Sequence, residues 1–86
     1  MNIQEQVNEE VEKALQTYGN FNSTHEAYAV LKEEVDELWD VVKKNTERVY
    51  GTHEWKTKAL IPELIQIAAI AIRTATELEN SKIKFV

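Results

Sequence analysis

The chain has no cysteine, one proline and two glycines in 86 residues. No disulfide can staple it, and no thiolate can hold a metal. With breakers so scarce and 43% of the residues hydrophobic, the composition is that of a compact, mostly helical chain, not a disordered one. Basic residues are outnumbered too, ten Lys and Arg against fifteen Asp and Glu, for a net charge of -5. That balance lacks the basic stripe of a nucleic-acid binder and suits a protein that collects cations. No signal peptide is evident, because Met1 to Glu12 is polar and acidic where a leader has a basic start and an apolar run. The longest apolar stretch, Leu60 to Ala75, is broken by Pro62, Glu63, Gln66, Arg73 and Thr74 and falls short of the roughly 20 apolar residues a membrane span needs. The expectation is a single cytoplasmic domain over residues 1–86, with neither nucleic acid nor membrane as partner.

What the chain does have is helical periodicity. Ile3, Val7, Val11, Ala14, Leu15 and Tyr18 recur at helical spacing, and Gly19 stands where a C-cap would sit, which predicts a helix over about residues 2–18. Asn20-Phe21-Asn22 makes a short connection. Ser23-Thr24-His25-Glu26 has the form of a capping box, in which the Ser hydroxyl and the Glu carboxylate satisfy reciprocal backbone donors. A second helix therefore starts near Thr24 and, with no proline or glycine before Gly51, is expected to reach about residue 48. Tyr50-Gly51-Thr52 breaks the pattern, and residues 53–59 read as either a loop or a short helical turn. Pro62 fits the first turn of a third helix over about 62–79. Residues 82–86 read as a tail that packs on a neighbour or frays.

The third helix is apolar almost all round: Leu64, Ile65, Ile67, Ala68, Ala69, Ile70, Ala71, Ile72, Ala75 and Leu78 cover most of its circumference. Such a helix is buried on several sides, and one small subunit cannot cover it. The expected fold is all-α, a three-helix subunit forming an antiparallel helical bundle completed by oligomerisation. A homodimer or dimer of dimers with this helix central follows, its alanines allowing close approach.

Against this apolar pattern the acidic residues stand out. At about 100° per residue, Ala27, Leu31, Val35, Leu38, Val41 and Val42 form one apolar arc of the second helix. Glu34 projects within that arc and Glu37 lies beside it. An unpaired carboxylate taken out of water costs several kcal/mol, so it must be protonated, paired or bound to a cation. On the third helix Glu63, Gln66, Arg73 and Glu77 line one narrow seam interrupted by Ile70. Antiparallel packing would bring the two acidic sets together as hard oxygen ligands of the kind Mg²⁺ or Mn²⁺ prefers.

Each of these residues has a plainer reading. Glu34 and Glu37 could be a solvated flank beside Lys32, Lys43 and Lys44, and Glu63, after Pro62, a partner of a helix N-terminal dipole. Gln66 could be a buried amide bonded to a neighbouring helix, and Arg73 either an ion-pair partner of Glu77 or a phosphate ligand. His25 and His53 lack metal-ligand spacing. Trp39 and Trp55 suit a core or a subunit interface, although Trp55, beside Lys56 and Lys58, could also stack on a base.

The segments His25 to Asp40 and Glu63 to Arg73 resemble the MazG-like all-α nucleoside triphosphate pyrophosphohydrolases, most closely the short versions carried by bacteriophages and prophages. The similarity covers about residues 23–79. That superfamily is marked by Glu-x-x-Glu on one helix and Glu-x-x-Asp on the next, four carboxylates that bind Mg²⁺. The resemblance implies that Glu34 and Glu37 form the first pair and Glu63 opens the second, while Gln66 stands where the family has Asp. An amide oxygen still coordinates a hard cation, but one negative charge is gone and the metal should be held more weakly. The implied reaction cleaves a nucleoside triphosphate into the monophosphate and pyrophosphate, with Mg²⁺ or Mn²⁺ as cofactor. Glu37 or Glu33 would orient the attacking water, and Lys43, Lys44, Lys56, Lys58 and Arg73 would bind the triphosphate. The alternative is a degenerate relative that keeps the bundle and serves as an interaction or regulatory subunit.

Overall fold

Among the described residues of the computed structural model, three helices make up the regular structure: α1 (Ile3–Tyr18), α2 (Thr24–Val42) and α3 (His53–Glu79). The structure describes residues 1–44 and 53–85, the side chains of residues 53, 54 and 56 excepted. α1 opens on Asn2, whose side chain accepts the Glu5 N–H at 2.8 Å while the Glu5 carboxylate accepts the Asn2 N–H at 3.5 Å. This capping box was not anticipated. The helix closes on Gly19, where φ is +71° and the N–H returns to the Leu15 carbonyl at 2.9 Å, a conformation that an L side chain would strain.

α2 opens on Ser23 as expected, the hydroxyl accepting the Glu26 N–H at 3.1 Å. The second half of the expected box is displaced by one residue. Glu26 instead accepts the backbone and side-chain N–H groups of Asn22, at 3.1 and 3.0 Å. Those bonds to Asn22 hold its carboxyl below the usual pKa. The helix stops at Val42, short of residue 48. Lys44 N–H turns to the Val41 carbonyl at 3.2 Å, a tightened last turn that needs no glycine, and two lysines sit favourably at the negative end of the helix. Residues 45–48 of the expected helix, and the break at Tyr50 to Thr52, lie outside the described residues.

α3 begins at His53, so residues 53–59 are helical and Pro62 lies in the helix interior, not in its first turn. A proline there cannot donate to the carbonyl four residues back and costs about 3 kcal/mol. At its far end Lys82 N–H reaches the Glu77 carbonyl at 2.8 Å and Ser81 N–H the Leu78 carbonyl at 3.2 Å, with Ser81 at φ +56°. This is a Schellman turn with serine where glycine is usual. It folds the tail back on its own subunit: Ile83 joins Phe21, Ala27 and Ile70 in one core cluster, and Thr24 N–H bonds the Lys84 carbonyl at 2.8 Å.

The helices run up, down and up, with α3 in the middle. Val7 and Val11 of α1 pack on Ile65, Ala68 and Ala69, while Ala27, Val30 and Leu31 of α2 pack around Ile70 and Leu78. Among the described residues α1 and α2 pack on α3 and not on each other, so they straddle it and leave a trough between them. The radius of gyration, 15.0 Å, exceeds the roughly 12 Å of a compact domain of this length.

Straddling gives the subunit two unlike faces. The trough has a cavity of about 390 Å³, lined among others by Glu34, Gln66, Ile70 and Arg73. The opposite face is apolar. α2 is seated with Glu34, not Val35, toward α3, which leaves Tyr28, Val35, Trp39 (58%) and Val42 exposed beside Leu64 (50%) and Ile72 of α3. Thus Trp39 is outside the subunit core, and the expected apolar arc of α2 is only half buried. Because α3 starts early, its Thr57–Glu79 stretch of 23 residues is long and apolar enough to cross a membrane, by length and composition, with mean hydropathy 1.4. Pro62, Glu63, Gln66, Arg73 and Thr74, expected to break it, do not shorten it. In the fold this stretch is the central helix of a globular domain, and Arg73 and Glu77 are buried.

Candidate metal centre

α2 offers Glu34 and Glu37 one turn apart, on neighbouring positions of a single helix face. α3, antiparallel to it, offers Glu63 opposite. One carboxylate oxygen from each of the three lies within 4.8 Å of the other two. The lysines that could have solvated an α2 flank are engaged elsewhere: Lys32 pairs with Asp36 at 3.0 Å and Lys43 with Asp40 at 3.2 Å. Glu63 is not at a helix N-terminus, since α3 starts ten residues earlier, and the dipole reading of it falls.

Burial pushes the Glu34 carboxyl up to about 7, and the charges of Glu37 and Glu63 and hydrogen bonds within the group act in the same direction. Glu63 is raised as well, chiefly by burial and then by Glu37. Its Oε2 is buried without a hydrogen-bond partner, the environment in which an acceptor lacks something to bind. Opposite ligand oxygens of an octahedral Mg²⁺ lie about 4.2 Å apart, so a small closing movement would fit these oxygens around one hard cation.

Gln66 lies one turn beyond Glu63. Its amide N–H donates to Glu10 Oε2 of α1 at 2.9 Å, which is the bond to a neighbouring helix that its plain reading anticipates. Glu10 was overlooked in the sequence. Its signal is that of Glu37, an acid at the edge of an apolar arc, here beside Val7 and Ala14. Glu33 is exposed and outside the three-carboxylate group.

At the other end of the trough, Arg73 and Glu77 are 5% and 3% exposed. Arg73 Nη2 donates to the Gly19 carbonyl at 2.9 Å, Nε lies 3.7 Å from Glu77 Oε2, and the guanidinium sits 4.2 Å above the Phe21 ring. Glu77 in turn accepts the Phe21 N–H at 2.6 Å. The pair bolts α3 to the α1–α2 connection, as the ion-pair reading of Arg73 has it. Beyond the acidic group, toward the end of α2, the Lys44 ammonium lies 5.9 Å from the half-buried Trp55 ring. Lys58 is exposed, and the side chain of Lys56 lies outside the described residues. Set beside family models, curated proteins and solved structures, the chain finds no match.

Proposed function

We propose that the protein is a divalent-cation-dependent nucleoside triphosphate pyrophosphohydrolase of the MazG-like kind. The observation that carries this reading is the Glu34–Glu37–Glu63 group, three oxygens within 4.8 Å with a buried, unpartnered Glu63 Oε2. Glu34, Glu37 and Glu63 would hold the cation, with Gln66 as a neutral fourth donor. Bound Mg²⁺, or Mn²⁺, supplies neutralisation of the charge that develops on phosphate oxygens. Glu37, on the exposed side of the group, orients the attacking water, with the exposed Glu33 as its alternate. Lys43, Lys44, Lys56 and Lys58 would bind the triphosphate chain, and Trp55 would offer a ring for the base. Arg73, held by Gly19, Phe21 and Glu77, adds positive potential to the trough. The apolar face of α2 and α3 supports a homodimer or dimer of dimers, and a cytoplasmic setting accords with a nucleotide substrate. Incubating the protein with a panel of nucleoside triphosphates and Mg²⁺ should release pyrophosphate and monophosphate. No release from any of them, with Mg²⁺ present in millimolar excess, would overturn the reading.

One observation favours the second reading, an interaction or regulatory subunit: Tyr28, Val35, Trp39 and Leu64 are exposed apolar residues of the kind that mark a protein-binding face when they are contiguous. That reading predicts no effect of Mg²⁺ or Mn²⁺ on thermal stability.

A further inference from the structure

Gln66 stands on a ridge between two cavities. It lines the trough together with Glu34, and on its other side it lines a cavity with Glu10, Ile61, Pro62 and Ile65. The amide is planar, with its oxygen and its NH₂ on opposite branches, and which branch faces which way is decided by hydrogen-bond partners. A carboxylate accepts and cannot donate, so Glu10, at 2.9 Å from Nε2, fixes the NH₂ branch on its own side.

We propose that Glu10 of α1 is a positioning residue that locks the Gln66 amide with its carbonyl oxygen turned toward Glu34 and Glu63, making Gln66 a fixed neutral donor of the cation site. This inference rests on the reading of the acidic group as a metal centre. It accounts for two features together: an amide on the face of α3 that carries Glu63, and an acid at the edge of the apolar face of α1 bonded to that amide. Without Glu10 the amide is free to turn over and present N–H groups to the cation, which repels them. Lys13, 3.5 Å from the other oxygen of Glu10, helps hold the Glu10 side chain in place. A positioning partner of this kind alters metal affinity by about 10–100-fold when it is removed.

The test is Mn²⁺ binding followed by electron paramagnetic resonance of free Mn²⁺, on the full chain and without nucleotide. Glu10→Gln keeps the size of the side chain while letting the pair of amides adopt either orientation. It should weaken Mn²⁺ binding about 10–100-fold, while the metal-free melting temperature stays within a few degrees. The double variant Glu10→Gln with Gln66→Asp places the carboxylate on α3 and the amide on α1, and should restore binding to at least the wild-type affinity. Wild-type binding that Glu10→Gln leaves unchanged overturns the role of Glu10 alone, as does a double variant no better than the single one. Absence of Mn²⁺ binding in the wild type overturns the metal centre itself and this inference with it. If Glu10→Gln fails to fold, the double variant and Glu10→Asp, which keeps the acceptor, decide the matter by the same measurement.

Discussion

α3 carries two groups of charge into the same trough, ten residues apart, and they are handled in opposite ways. Around Arg73 every charge meets its opposite or a hydrogen-bond partner: Glu77, the Gly19 carbonyl, the Phe21 ring and the Phe21 N–H. Around Glu63 three acids face one another, so nothing of opposite sign within the group offsets the buried Glu63 Oε2. The first arrangement is structural: Arg73 Nε and Glu77 Oε2, 3.7 Å apart, are each buried without a hydrogen bond, but their opposite charges offset one another and hold elements in register. The second is one that folding alone would not retain, since like charges in low dielectric raise each other's pKa and weaken the fold. Burial of charge is thus no mark of a functional site, whereas burial of like charges together is.

The comparison breaks most visibly at Arg73. Arg73→Met should destabilise by about 3–5 kcal/mol, because Glu77 is left buried without its cation. Urea unfolding measures it. Glu63→Gln should do the reverse in the absence of metal, raising the melting temperature by a few degrees, an effect on the order of 1 kcal/mol for a domain of this size. A loss of stability comparable to that of Arg73→Met would erase the difference between the two groups.

Acidity sharpens the contrast further. Glu34 has its pKa raised from 4.5 to about 7 in the folded state, and Glu63 is shifted upward too. The folded protein then binds more protons than the unfolded chain, so metal-free stability is fully present below pH 4.5 and declines as pH rises through about 7. Melting curves from pH 4 to 8 should fall monotonically from this source, and the decline should vanish in a Glu34→Gln, Glu63→Gln double variant. The smallest effect is expected outside both groups. Trp39→Ser, on the exposed apolar face, should change subunit stability by less than about 0.5 kcal/mol. In sedimentation, however, it should shift any oligomer toward monomer.

Much of this was legible in the residues. The three-helix all-α fold followed from spacing and from the scarcity of breakers, and the meeting of Glu34 and Glu37 with Glu63 followed from an acid lying inside an apolar arc. Helix ends were less legible. Pro62 suggests a start because a proline is cheapest there, but the helix begins at His53 and carries Pro62 in its interior. α2 stopped early without any glycine, and Ser81 took a left-handed conformation with no sequence signal. Glu10 escaped because the interaction that gives it meaning, with Gln66, spans 56 residues, and periodicity reports only on one helix at a time. The exposed Val35 and Trp39 show the same limit: an apolar arc indicates which residues avoid water, not which half of them the subunit itself covers.

The most direct test of the metal centre is a thermal melt at pH 8 with increasing Mg²⁺, on the wild type and on Glu63→Gln. Binding to the native state alone stabilises by about 2.7 kcal/mol at a hundredfold excess over Kd, so the wild-type melting temperature should climb steadily with Mg²⁺ while that of Glu63→Gln stays nearly flat. A wild-type melting temperature that does not respond to Mg²⁺ or Mn²⁺ up to tens of millimolar would contradict the account.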